Sequence, residues 1–142
     1  MRKMTIVTAV CGLFALVLNV SALQVQQPEP KPLGEIMKEI SKTQASLNRN
    51  LRGQNAMEIA NDAGKIQELY KSTDATWKKH GFDDAAKTSK DVQMAAEGIV
   101  KAARAYDFST ANEQFQVVAR SCKSCHDVHR ERLPDGTYRI KQ

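Results

Sequence analysis

Cysteine, aromatic residues, glycine and proline are all scarce in this chain. Three cysteines in 142 residues are too few for a disulfide-stapled miniprotein. Aromatic residues make up 6% of the chain and there are seven glycines, poor material for a sheet-rich fold. Three of the four prolines stand at positions 28, 30 and 32 and the fourth at 134, so no proline breaks a helix between Leu33 and Leu133. No stretch after the amino terminus is apolar enough to span a bilayer, and the length supports one domain. These shortages exclude a membrane-spanning transporter, a multidomain enzyme and a cystine-knot scaffold.

The first 22 residues have the layout of a secretory signal. Arg2 and Lys3 form a charged start, Ile6 to Val20 an apolar run, and Val20-Ser21-Ala22 a small-residue site for cleavage after Ala22. A lipid attachment at Cys11 is disfavoured because Val10 is too bulky for that cleavage and apolar residues continue beyond it. Losing residues 1–22 takes Arg2 and Lys3 away and lowers the formal charge from +5 to +3. Only Cys122 and Cys125 then remain of the cysteines. The reading predicts a soluble protein exported to the periplasm, which makes a nucleic-acid partner unsuitable for so mild an excess of charge.

Residues 23–32 read as a proline-rich tether. Beyond them, alanine, lysine, glutamate and glutamine favour helix throughout. Punctuation divides 33–133 into four helices with short connections. The first runs from Leu33 to Arg52, with Leu33, Ile36, Met37, Ile40, Leu47 and Leu51 on its apolar face, and Gly53 ends it. The second is capped by Asn55, carries Met57, Ile59, Ile66, Leu69, Tyr70 and Trp77, and closes at His80-Gly81. The third starts near Asp83 and extends to Tyr106. Thr110 and Glu113 form a capping box for the fourth, which runs to about Arg132. This pattern predicts an all-α, antiparallel four-helix bundle, followed by a tail at 134–142 with no assigned role. The core is thin for its length, and a bulky apolar cofactor would help to fill it.

Chemistry concentrates in Cys122-Lys123-Ser124-Cys125-His126, a C-x-x-C-H sequence and the attachment signal of c-type haem. Residues three and four apart share a helix face, so both thiols and the imidazole project to one side. The thiols can add to the two haem vinyl groups while the imidazole takes the iron. The apolar positions Phe115 and Val118 continue that face towards the core. A thioredoxin-type pair would follow a strand, and none is expected here. A zinc site built from Cys122, Cys125 and His126 or His129 would crowd its ligands onto one short helical stretch. A disulfide between Cys122 and Cys125 would close too small a loop to stabilise much.

With that motif late in a four-helix chain, the sequence resembles the class II cytochromes c, the family of cytochrome c-prime and its low-spin methionine-ligated relatives. The resemblance covers roughly Leu33 to Arg132. It implies a four-helix bundle with one haem c and its iron, attached near the carboxyl end of the last helix through thioethers at Cys122 and Cys125. It also implies His126 as the proximal iron ligand. Relatives with methionine at the haem-facing position of the first helix are low-spin electron carriers, and those with an apolar residue there bind small gases at an open site. Met37, in Glu35-Ile36-Met37-Lys38, fits the first pattern. Met57 and Met94 are rivals, and a methionine is also a common core filler. The family often carries arginine one turn before the ligand. Leu33 stands there in this chain, leaving the propionates to Lys31 or another base.

Trp77 and Tyr70 read as core residues, His80 as a helix end, and His129 as facing solvent or a propionate. Arg120, Lys123, Arg130 and Arg132 form a basic cluster near the attachment motif. The expected function is a periplasmic single-electron carrier with His/Met axial ligation, rather than an enzyme. Its partners would be redox proteins, and a homodimer through helices one and two is compatible with the pattern. The alternatives are a five-coordinate protein binding small gases such as nitric oxide, and a haem-free helical module whose cysteines bind metal or form a redox pair.

Overall fold

A computed structural model describes residues 31–141 of the chain. The expected leader at 1–22 and the tether up to residue 30 lie outside the described residues. The helices are α1 (Leu33–Arg52), α2 (Ala56–Lys71), α3 (Asp74–His80), α4 (Asp83–Arg104) and α5 (Phe108–His129). Two short strands, β1 (Arg130–Arg132) and β2 (Tyr138–Ile140), follow. The bundle is the expected all-α architecture, with α2 and α3 together serving as its second arm. No helix among the described residues is long and apolar enough to cross a membrane.

The apolar stripes predicted from helical periodicity meet in one core. Ile36, Ile40, Leu47 and Leu51 of α1 pack with Ile59, Ile66 and Tyr70 of α2, Val92 and Ile99 of α4, and Phe115 and Val118 of α5. Ala63, Ala95, Ala96, Ala103 and Ala111 are also fully or almost fully buried. Small side chains there let α2, α4 and α5 approach closely, and α2–α4 and α4–α5 are the most extensive helix contacts. By contrast α1 and α5 touch sparingly. The bundle is therefore tight along one side and looser where α1 faces α5.

Several local expectations are corrected. The second helix is not continuous from Asn55 to His80 but breaks at Ser72-Thr73. The Ser72 hydroxyl donates to the Leu69 carbonyl at 2.6 Å and Thr73 Oγ1 to the Tyr70 carbonyl at 2.8 Å. Both hydroxyls occupy acceptors near the helix end, the competition that makes serine and threonine poor interior residues. Thr73 Oγ1 also accepts the Trp77 indole N–H at 2.9 Å, so the break fixes the tryptophan ring. Asp74 then accepts from Ser89 Oγ at 3.1 Å, from Gln93 Nε2 at 3.0 Å, and from Lys90. Burial opposes its charge, but these donors prevail and hold its carboxyl below the usual range.

Met57, expected on the apolar side of the second helix, is 71% exposed. Asn55 takes the cap position without a side-chain cap bond. Tyr106 lies past the end of α4 with φ 56° and an exposed ring. The Thr110/Glu113 box is replaced by Asp107, whose carboxylate accepts the Thr110 N–H at 3.0 Å and starts α5 three residues earlier. The fourth helix stops at His129 instead of Arg132. Arg130, Glu131 and Arg132 instead pair antiparallel with Ile140, Arg139 and Tyr138. The tail is thus a β-hairpin, whose turn contains Gly136 at φ 81°. Gly81 meets expectation, ending α3 at φ 69°.

Glu39 ties α1 to its neighbours, bonding Lys65 of α2 at 2.8 Å and Lys31 at 2.9 Å. Those two ammonium groups, Lys65 first, lower its pKa from 4.5 to about 2. A depressed carboxylate adds stability that is present above its unfolded pKa and is lost as pH falls through its folded one. The contribution here spans pH 4.5 down to about 2 and is small, since the pair is exposed and screened by salt. Carboxyl NMR titration should place the Glu39 midpoint near 2 and, in Lys65→Ala, closer to 4.5.

Thr73→Val removes the buried acceptor of the indole N–H while keeping side-chain volume. Urea unfolding should report a loss of about 1–3 kcal/mol. In a Trp77→Phe background, where no N–H needs a partner, the same change should cost clearly less.

Candidate haem site

The α5 segment is helical through the motif, so the 122, 125 and 126 side chains leave the same face. All three are half-buried and line one largely apolar cavity. Its walls come from every helix: Met37 of α1, Tyr70 of α2, Trp77 of α3, Ala85, Thr88 and Ser89 of α4, and Ser121 beside the motif. The cavity lies where α1 and α5 touch sparingly, since Met37 and the motif stand on those two helices. Of the rival methionines, Met57 and Met94 are 71% and 62% exposed and do not line the cavity.

Cys122 and Cys125 are free thiols. Cys122 Sγ lies 3.5 Å from Gln44 Oε1 and 3.4 Å from the Val118 carbonyl, both acceptors for the S–H. The Tyr70 hydroxyl is 3.7 Å from the same sulfur. Burial, followed by the neighbouring Cys122, pushes the Tyr70 hydroxyl far above its ordinary pKa, so the phenol stays protonated and able to donate. Burial also raises the Cys125 thiol, reinforced by the negative charge of Asp84. Burial lowers His126, and Arg130 one turn later adds to the effect, so the neutral imidazole is favoured. A neutral imidazole is the form that binds metal.

This donor set fits a covalently held haem. Two unpaired thiols three residues apart and a neutral imidazole enter an apolar space that has a thioether in its lining. Cys125, its pKa raised and its place late in α5, is poorly suited to thiolate redox work, which needs a depressed pKa at a helix start. No group of three or more His, Cys, Asp or Glu converges on a common point among the described residues.

A family model described as Cytochrome C' matches residues 33–130. The chain belongs to that family. The match begins at the first residue of α1 and ends at the first residue of β1, so it covers the whole bundle and leaves the hairpin outside. No individual curated protein and no solved structure gave a match. Membership of the cytochrome c-prime family makes this a c-type cytochrome, and haem c with its iron is the cofactor the family implies.

Within this cytochrome, Met37, Cys122, Cys125 and His126 are brought together, while two other expected placements are not met. His129 faces neither solvent nor the cavity. Its ring bonds Asp84 at 2.7 Å and stacks on Phe82 at 4.6 Å, which itself stacks on His80 at 5.6 Å. It therefore ties the end of α5 to the start of α4. Lys31 is committed to Glu39 and does not line the cavity. Tyr70 and Trp77 are buried as expected but also form cavity wall. Gln44 was missed, although it stands seven residues after Met37 on the same helical face, a spacing that points to it. Thr88 and Ser89 carry no such signal.

In the apo-protein, alkylation of Cys125 by iodoacetamide should be slow at neutral pH and should accelerate only at a pH above that of an ordinary thiol. Asp84→Asn, which removes the second cause of the shift, should move the midpoint down; mass-spectrometric rates on Cys125 check this.

Proposed function

We propose that this protein is a periplasmic electron carrier with one covalently bound haem and His/Met axial ligation. The observation that carries the reading is the placement of Met37 in the lining of the cavity that also takes Cys122, Cys125 and His126. Cys122 and Cys125 would hold the haem as thioethers, with His126 as proximal and Met37 as distal ligand. A bound haem supplies a one-electron Fe(III)/Fe(II) couple, and thioether ligation opposite imidazole raises its potential.

The protein's own residues prepare the rest. Tyr70, Trp77 and Ala85 give the cavity an apolar wall, and a bound haem against it would be shielded from water, which limits reorganisation when charge changes. The Thr73–Trp77 bond keeps the indole in the wall. The Tyr70 hydroxyl can donate to the Cys122 sulfur whether that sulfur is a thiol or a thioether. Export rests on the signal-like residues 1–22, and redox proteins are the natural partners of such a carrier.

Met37→Ala tests the ligand assignment. The full chain, produced with cytochrome maturation machinery, should give a Soret band and a six-coordinate low-spin spectrum. The variant should become high-spin, with a lowered potential and rapid carbon monoxide binding to the ferrous form. An unchanged spectrum would remove Met37 as ligand, and fast carbon monoxide binding by the unsubstituted protein would assign the open-site, gas-binding behaviour instead.

A further inference from the structure

Charge is unevenly distributed along the chain. Residues 31–119 hold thirteen Lys/Arg against twelve Asp/Glu, whereas residues 120–141 hold six against three. Three of the four net positive charges of the described residues therefore fall on the last part of α5 and the hairpin, beside the attachment motif. Half of those six cations are already committed. Lys123 pairs with Asp127 at 2.5 Å, Arg139 pairs with Glu131 at 2.8 Å, and Lys141 Nζ donates to the Asp127 carbonyl at 3.0 Å. Among the described residues, Arg120, Arg130 and Arg132 have no carboxylate partner.

The hairpin fixes where two of these arginines point. Arg130 and Arg132 leave the same face of β1, opposite Ile140 and Tyr138 of β2. The Arg130 guanidinium lies 4.3 Å over the Tyr138 ring. The Lys141 N–H donates to the His129 carbonyl at 2.9 Å, which closes the hairpin onto the end of α5. Tyr138 is 55% exposed, as is Val128 two residues before the hairpin. Arginine and tyrosine on a surface with an apolar centre are the composition of protein interfaces.

We propose that this hairpin face, built on Arg130, Arg132 and Tyr138, docks the redox partner through an acidic surface of that protein. The inference rests on the electron-carrier reading and names the chemistry of its partner. A carboxylate-rich protein face suits the unpaired guanidinium groups, which bind carboxylates in a bidentate manner. A lipid surface is less suited, since its recognition takes about four to eight clustered basic residues and only three arginines are unpaired here. The location puts the encounter next to His126, where an electron would leave by a short path.

Two measurements on the full chain test it, with Arg130→Ala/Arg132→Ala compared against Arg49→Ala/Arg52→Ala, which removes the same charge from the far end of α1. In the first, stopped flow follows ferrous holoprotein giving one electron to ferricyanide, which becomes ferrocyanide. At low ionic strength the hairpin variant should react about threefold or more slowly, with a flatter salt dependence, and the α1 variant should change much less. In the second, anisotropy of labelled decaglutamate should show at least about threefold weaker binding to the hairpin variant, with or without haem. Equal losses in both variants would reduce the effect to net charge and overturn the proposal. Preferential binding to phosphatidylglycerol vesicles over decaglutamate, lost in the hairpin variant, would assign the face to a membrane and also overturn it. A chain without a Soret band would sink the carrier reading alone, because the decaglutamate measurement needs no haem.

Discussion

Three side chains leaving one turn of one helix set the conditions for everything else in this molecule. Cys122, Cys125 and His126 project to the same side of α5, and a helix that packed that side fully would have nowhere to put a haem. The bundle resolves this by spending its tight packing elsewhere. Alanines at 63, 95, 96, 103 and 111 draw α2, α4 and α5 together. The α1–α5 contact is left slack, and the cavity opens beside it. Methionine is well matched to the lining of such a gap, being unbranched and polarizable.

The cavity wall depends in turn on polar detail outside it. The break at Ser72-Thr73 turns the chain where Trp77 joins the motif in lining the cavity, with its N–H satisfied by a buried hydroxyl. Asp74 then gathers Ser89, Gln93 and Lys90 of α4 onto the same joint. No buried side-chain nitrogen or oxygen among the described residues lacks a hydrogen-bond partner. A wall assembled from several short elements can still be rigid when its polar groups are closed in this way.

Much of this was legible in the residues, and what was not has physical reasons. Helical periodicity found α1 and the core faces because an apolar stripe must be buried. Gly81 was legible because a left-handed helix end favours glycine. The motif spacing gave the site because three- and four-residue offsets fix a helix face. The 72–73 break carried no glycine or proline, only hydroxyls whose preference for the carbonyls at 69 and 70 competes weakly with helix. The hairpin was hidden because its pairing partners, such as Arg132 and Tyr138, lie on either side of a turn and each strand is only three residues long. Tyr106 and Met57 were misplaced because apolar character alone does not say which residues at a helix end stay in water. His129 was misplaced because its partners, Asp84 and Phe82, are remote in sequence.

The hairpin is held to the bundle mainly through α5, by the Lys141–His129 backbone bond and the Lys141–Asp127 contact, while the Arg130–Tyr138 stack braces its two strands. None of these links reaches the shared core. Apart from Arg130, whose charge reaches His126, its surface could therefore drift over evolutionary time without disturbing helix packing or the residues that line the cavity. A chain organised this way can vary the chemistry of one outer face while keeping its bundle and cavity, so that the two become separable traits.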